Sequence, residues 1–350
     1  MAIQAFELAD FGWSPFFHSQ LQDDEITHAI PARVMAVDRA RLHLQAPALE
    51  IHSPPFFAED GAAATVGDWL LLDAKHRPLR LLRRKSAFKR VAPGTGHEIQ
   101  FIAANIDTVF VVTSCNQDFN IARLERYLAL AREAEVTPVI VLTKADLAES
   151  PATFMDDALK VRAGVHVEAV NALDAGDVER LAAWCGRGQT VALLGSSGVG
   201  KSTLVGTLTG TALATQAVRE DDAKGRHTTT RRQVHRLAAG GLLLDTPGMR
   251  ELQLVDVAAG LADVFADIDA AAARCRFTDC RHEAEPSCAV LEGLSTGELD
   301  ADRLRRWRKL VRENARNSES LADRHARDRR FGRFAKQVMK EKRKRRDEPR

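Results

Sequence analysis

The apolar run TVALL at 190–194 passes into GSSGVGKST at 195–203, and STLVGTLTG continues as an apolar-patterned segment. The spacing fits G-x-x-x-x-G-K-[ST], the phosphate loop between a strand and a helix. This is the strongest constraint in the chain, because such a loop works only when a buried strand delivers it to a helix start. Its glycines let the backbone fold round phosphates with N–H groups inward, and the helix adds its positive end. Gly195, Ser196, Ser197, Gly198, Val199, Gly200 and Thr203 would wrap the phosphates. Lys201 would neutralise the β- and γ-phosphates, and Ser202 would coordinate Mg²⁺.

The surroundings suit such a loop. IDTVFVVTS (106–114) reads as a buried strand and IARLERYLALAREAE (121–135) as an amphipathic helix. TPVIVLT, a helix near 151–162, GVHVEAV, a helix near 174–185 and TVALLG follow. This alternation predicts a parallel sheet covered by helices on both faces. Upstream, PARVMAVD, ARLHLQA, DWLLLDA and PLRLLRRKS are strand-like runs between turns. They fit a small barrel of the oligonucleotide-binding (OB) type, and a β-sandwich fragment fits the pattern too. KRVAPGTGHEIQ (89–100) reads as a connector. The first 30 residues show little periodicity, and their Phe11, Trp13, Phe16 and Phe17 suggest packing on a domain or a partner.

Two more nucleotide signals bracket the loop. Asp245-Thr246-Pro247-Gly248 follows the strand GLLL, where the Asp would hold Mg²⁺ and the Gly N–H would meet the γ-phosphate. GRHTTT at 225–230 offers Thr228 and Thr229 as switch hydroxyls that bind Mg²⁺ only beside a γ-phosphate. The alternative there is a strand start, since Thr favours strands. TKAD at 143–146 ends the run VTPVIVL. Asp146 would accept from guanine N1–H and the exocyclic amine together, a donor pair adenine lacks. Lys144 would lie across the base, and Asn171-Ala172 would supply the next base-contacting loop.

The order is base loops, phosphate loop, switch, DTPG. An ordinary GTPase begins with the phosphate loop. Joining the old ends and cutting ahead of the base-reading half gives the order here, so the chain is read as circularly permuted. The strand ends still converge, because the sheet itself does not change.

The net charge of +2 hides an asymmetry. From Arg303 to Arg350 there are 20 Lys+Arg and 7 Asp+Glu, while the rest holds 30 basic and 41 acidic groups. An acidic body with a basic tail predicts a polyanionic partner. No apolar run approaches the roughly 20 residues that cross a bilayer, and the first residues lack a secretory pattern. A cytoplasmic protein is expected, with no membrane association. Nothing in the pattern demands a dimer, so a monomer is expected.

The five cysteines argue against a disulfide framework. Cys115 and Cys185 read as buried, inert thiols. Cys275, Cys280, His282 and Cys288 offer three thiolates and an imidazole, a closed tetrahedral set for one structural Zn²⁺.

Taken together, a β-rich start, FIAANIDTVFVV, permuted TKAD…GSSGVGKST…GRHTTT…DTPG and the Cys/His cluster resemble the ribosome small-subunit-dependent GTPase A (RsgA) family. The resemblance covers about 31 to 300. It implies an N-terminal OB-fold, a circularly permuted P-loop α/β GTPase domain and a C-terminal helical zinc domain. On this chain that gives an extension at 1–30, an OB-fold RNA-binding domain at 31–90, GTPase at 91–255, zinc domain at 256–320 and a basic tail at 321–350. It further implies a GTPase stimulated by the 30S subunit, which binds rRNA and acts late in 30S maturation, cycling between GTP and GDP. A constitutive RNA-binding scaffold with a structural nucleotide site is the alternative.

Two positions stand apart. Thr143 stands where Asn is usual, a shorter side chain expected to loosen the base loop. Met249 follows DTPG where several GTPases carry Gln, so another group must orient water. By resemblance that group is His227, with Lys201 stabilising the transferred phosphoryl.

Overall fold

The computed structural model describes residues 6–38, 40–91, 99–210, 232–245, 252 and 254–318. His227, Thr228, Thr229, Gly248 and the tail 321–350 lie outside the described residues.

The N-terminal strands are β1 (Ile30–Asp38), β2 (Arg41–Ala46), β3 (Leu49–Ser53), β4 (Trp69–Leu72) and β5 (Pro78–Leu81). They pair antiparallel in the order β3-β2-β1-β4-β5. Among the described residues no ladder joins β3 to β5, so the expected barrel is an open sheet in its pairing. The sequence pattern missed β3, a short strand of five residues, LEIHS. Inward residues Ala32, Val34, Leu42, Leu44, Leu70 and Leu72 form a core of their own.

Residues 89–100 are not a plain connector. β6 (Ala87–Val91) and β7 (Ile99–Ala104) form an antiparallel pair. Gly and Pro in the intervening segment misled the pattern, since they mark hairpin turns and linkers alike.

Then come β8 (Thr108–Ser114), β9 (Thr137–Thr143), β10 (His166–Ala169), β11 (Thr190–Leu194), β12 (Arg232–Arg236) and β13 (Leu242–Asp245). β10, β9, β8, β11 and β13 lie side by side and parallel, and β12 closes the row antiparallel. Their apolar runs are continuous because both faces are buried. Val109 and Val111 face one core, and Phe110 and Val112 face the other. β11 pairs β8 on one side and β13 on the other, although β8 precedes it by about 80 residues. The permutation is thus visible in the sheet.

β12 also pairs β1, through Ala36↔Gln233 and Val37↔Arg232, so one eleven-stranded sheet runs through both β regions. Residues 6–28 fold into short turns of helix, Leu8–Phe11, Pro15–His18 and Asp23–His28, and pack on the body. Phe11 and Phe17 are buried, and Trp13 meets Trp69 edge to face at 4.8 Å.

Downstream helices span Ala258–Val264, Ala266–Ala272, Ala289–Thr296 and Ala301–Ser318. Gly260 lets the first of them approach the Ile121–Glu133 helix closely, since a Cβ there would sit 2.1 Å from the Ala129 carbonyl oxygen. No helix among the described residues is long and apolar enough to cross a membrane.

Candidate functional site

The parallel strands deliver their C-terminal ends to one edge. Ser114 pairs Thr143, Val111 pairs Leu194, and Ala192 pairs Leu244. So Thr143 and the backbone of Asp245 end strands, and Asn171 and Gly195 follow strands, at the same edge of the sheet, where open α/β sheets bind ligands.

β11 hands the chain to Gly195, and the Lys201–Thr209 helix takes it up. Gly195 must be glycine, because a Cβ would lie 2.3 Å from the Val112 carbonyl oxygen. Gly198 and Gly200 have φ of 82° and 89°, which turns the loop back on itself. Val199 is buried and anchors the loop from below, while Ser197, Gly198 and Ser202 are exposed. Lys201 Nζ donates to the Gly195 carbonyl at 2.9 Å and to that of Ser196. Folding its ammonium over the loop satisfies it locally.

The base loop docks on this one. Lys144 has φ 57° and donates from Nζ to the Gly198 carbonyl at 3.0 Å. The Thr143 hydroxyl is fully buried and lies 2.6 Å from the Val199 carbonyl oxygen. The expectation that Thr143 loosens this loop is therefore corrected: its hydroxyl bonds the base loop to the phosphate loop. Asp146 sits exposed on the turn Ala145–Leu147, which leaves its carboxylate open to a ligand. The Asn171 N–H donates to Asp177 at 2.8 Å, and its side chain accepts from the Leu173 N–H at 3.0 Å. The Ala172 carbonyl accepts from Thr207 of the phosphate-loop helix at 2.7 Å. Both base-loop candidates are thus bonded to the phosphate-loop unit. Asp245 ends β13 at the same edge by its backbone.

The second site is the cysteine cluster. The ligand atoms of Cys275, Cys280, His282 and Cys288 all lie within 4.8 Å of one another. Cys275 Sγ is 3.8 Å from Cys288 Sγ and 3.5 Å from His282 Nδ1, and Cys288 Sγ is 3.4 Å from the same nitrogen. Two thiolates bound at roughly 2.3 Å to one tetrahedral ion stand about 3.8 Å apart, the spacing of Cys275 and Cys288, so the four residues could hold a metal such as zinc. The cluster is held from outside. The His282 ring lies 5.8 Å from Trp307, and its carbonyl accepts from Arg308.

Burial pushes the Cys115 thiol up to about 11 and the Cys185 thiol up to about 12, as expected of inert thiols.

Sequence reading missed three charged residues that organise the site. Arg123 donates to the Ser196 hydroxyl in the phosphate loop. Glu125, two residues on, is fully buried and holds Arg303 at 3.2 Å and Arg306 at 2.8 Å. Arg33 lies fully buried where three segments meet, bonding the carbonyls of Phe11, Gly67 and Asn105. The only signal was charge at helix or strand positions that period would bury.

A family model described as RsgA GTPase matches residues 81–255. A small ribosomal subunit biogenesis GTPase RsgA 2 from Vibrio parahaemolyticus is 48% identical over 339 residues, which are 97% of this chain and 94% of that protein. A small ribosomal subunit biogenesis GTPase RsgA from Mesorhizobium japonicum is 51% identical, covering 89% of this chain and 91% of that one. Among solved structures, YjeQ from Thermotoga maritima superposes with a TM-score of 0.59 at 22% identity, over 81% of this chain and 98% of that chain. YloQ, described as a circularly permuted GTPase, gives 0.58 at 21%, over 84% and 97%. At those identities the two structures speak for the fold alone.

Proposed function

The chain belongs to the RsgA GTPase family, and from that premise we propose that it hydrolyses GTP during late maturation of the 30S ribosomal subunit. The single observation that carries this is the convergence of TKAD, Asn171, the phosphate loop and the end of β13 on one sheet edge, in permuted chain order. The relatives' names supply the ribosomal context.

Guanine would be read by Asp146, with Lys144 across the base and Thr143, Asn171 and Ala172 shaping the pocket. The amides of 195–203 and Gly248 would cradle the phosphates. Lys201 would release the loop carbonyls and turn to the β- and γ-phosphates, stabilising the charge that shifts during transfer. Ser202 and Asp245, with Thr228 or Thr229, would supply oxygen donors suited to Mg²⁺. When bound, Mg²⁺ neutralises phosphate charge there. His227 would orient the attacking water, since Met249 offers no hydrogen bond.

The β1–β5 region would act as an OB-type RNA-binding unit. Its five antiparallel strands around a core of their own are what supports that reading. The basic segment beyond Arg303 would add phosphate contacts to rRNA, with strong salt dependence. The Cys/His cluster would hold one structural zinc. Docking would be favoured in the GTP state and release in the GDP state. The protein would work in the cytoplasm as a monomer.

GTP turnover with and without 30S subunits, with ATP as control, tests this. GTP-specific stimulation is expected. Equal turnover with and without 30S would remove the ribosomal assignment and favour a constitutive RNA-binding scaffold. In the same assay His227→Ala should lower turnover while GTP still binds, and unchanged turnover would take His227 out of the chemistry.

A further inference from the structure

Arg123 occupies the first turn of the Ile121–Glu133 helix, which holds no acidic residue there. A cation at a helix N-terminus opposes the helix dipole, so helix stability does not explain its place. Its guanidinium instead reaches across to the Ser196 hydroxyl. No carboxylate among the described residues pairs with it.

The position matters because of what Lys201 must do. Lys201 bonds the carbonyls of Gly195 and Ser196 and so shapes the first half of the loop. On the proposed reading its ammonium turns from them to a phosphate. The bond from Arg123 to the Ser196 side chain does not compete with that movement. The helix that carries Arg123 is itself braced from behind. Glu125 binds Arg303 and Arg306, and Arg126 binds Glu313 at 2.7 Å, all on the Ala301–Ser318 helix.

We propose that Arg123 is a positioning residue of the phosphate loop, holding Ser196 in place while Lys201 exchanges loop carbonyls for phosphate. This rests on the nucleotide reading of 195–203. It acts through Ser196 and touches no reacting atom. Its effect falls on nucleotide affinity, for GDP and GTP alike, because both fill the loop with a β-phosphate.

The test is calorimetric titration of the full chain with GDP and with a non-hydrolysable GTP analogue, alongside kcat and KM for GTP. Arg123→Ala should weaken both nucleotides about tenfold, as for a lost charge-assisted hydrogen bond. KM should rise by more than kcat falls. Ser196→Ala should match it, and the double variant should be no weaker than either single one. Arg123→Lys, which can still donate to the hydroxyl, should recover most of the affinity. Thermal unfolding of each variant separates lost folding from lost positioning, and Ser196→Ala tests the bond should Arg123→Ala not fold. Wild-type affinity in both single variants, or additive losses in the double variant, would overturn the proposal. If the wild-type protein binds neither nucleotide, the nucleotide reading fails first.

Discussion

At the scale of single residues the chemistry depends on which atoms a side chain offers. On the proposed reading Asp146 would offer two acceptors to a base with two adjacent donors. Asn at that place offers one acceptor and one donor, which suits xanthine, where a carbonyl replaces the exocyclic amine. Asp146→Asn should therefore raise KM for GTP roughly a hundredfold and create turnover of XTP. Unchanged GTP preference in that variant would remove Asp146 from base reading. The place of TKAD at the end of β9 was legible because the apolar run before it marks the strand. Arg123 was not legible. Its partner Ser196 is 73 positions away, and no local pattern joins them.

Between elements, two further devices join the Glu125 and Arg126 ion pairs in attaching the C-terminal helices. The Cys/His cluster is one. Cys280→Ser should reduce bound zinc from about one ion per chain, and a chelator at neutral pH should lower the thermal midpoint of the wild-type protein, since structural zinc contributes folding energy. Freshly purified protein without zinc would sink the assignment. The ion pair of Asp263 is the other, with Arg162 at 2.5 Å and Arg132 at 3.5 Å. The Arg162 hydrogen bond holds the Asp263 carboxyl below the usual range. Its pKa is depressed on folding, so the stability it adds is present above the unfolded value, about 3.9. That stability is lost as pH falls through the lower folded value. Asp263→Asn should cost about 1 kcal/mol at pH 7 and nothing once both carboxyl states are protonated. Urea midpoints across pH 2–7 check this, and a gap that stays constant at low pH would contradict it. Elements of strong period, such as β8, β9 and the Ile121–Glu133 helix, were read within a residue or two. The β6–β7 pair was not, because a hairpin is defined by its partner strand, and spacing alone did not separate a turn from a linker.

For the molecule as a whole, Arg33 is the junction. It bonds a carbonyl in the N-terminal segment, one in the β1–β5 region and one at the entry to the parallel sheet. Burial lowers its pKa to about 10, so it stays charged at neutral pH. Arg33→Met keeps much of the volume but takes the guanidinium donor from the buried Phe11 and Asn105 carbonyls, while Gly67 keeps its bond from the Asn105 side chain, a loss of about 3 kcal/mol. Arg33→Lys should recover only part, since a single ammonium cannot reproduce the planar fork. Urea unfolding measures both, and a cost well below about 1 kcal/mol for Arg33→Met would show the junction to be dispensable.

The sequence by itself determined the parallel sheet, the permuted order, the glycine loop after β11 and the cluster of three cysteines and a histidine. Each is written in short-range terms: a two-residue or four-residue period, a glycine spacing, or a cluster within fourteen residues. Only the tertiary structure decided that β12 joins the two β regions into one sheet, that Thr143 bonds the base loop to the phosphate loop, that Arg123 ties its helix to that loop, and that Glu125 ties the same helix to the C-terminal helix. These are contacts between positions 56 to about 200 residues apart. Their geometry exists only after the chain has packed, because a side chain's partner across such a span is set by where whole elements come to rest.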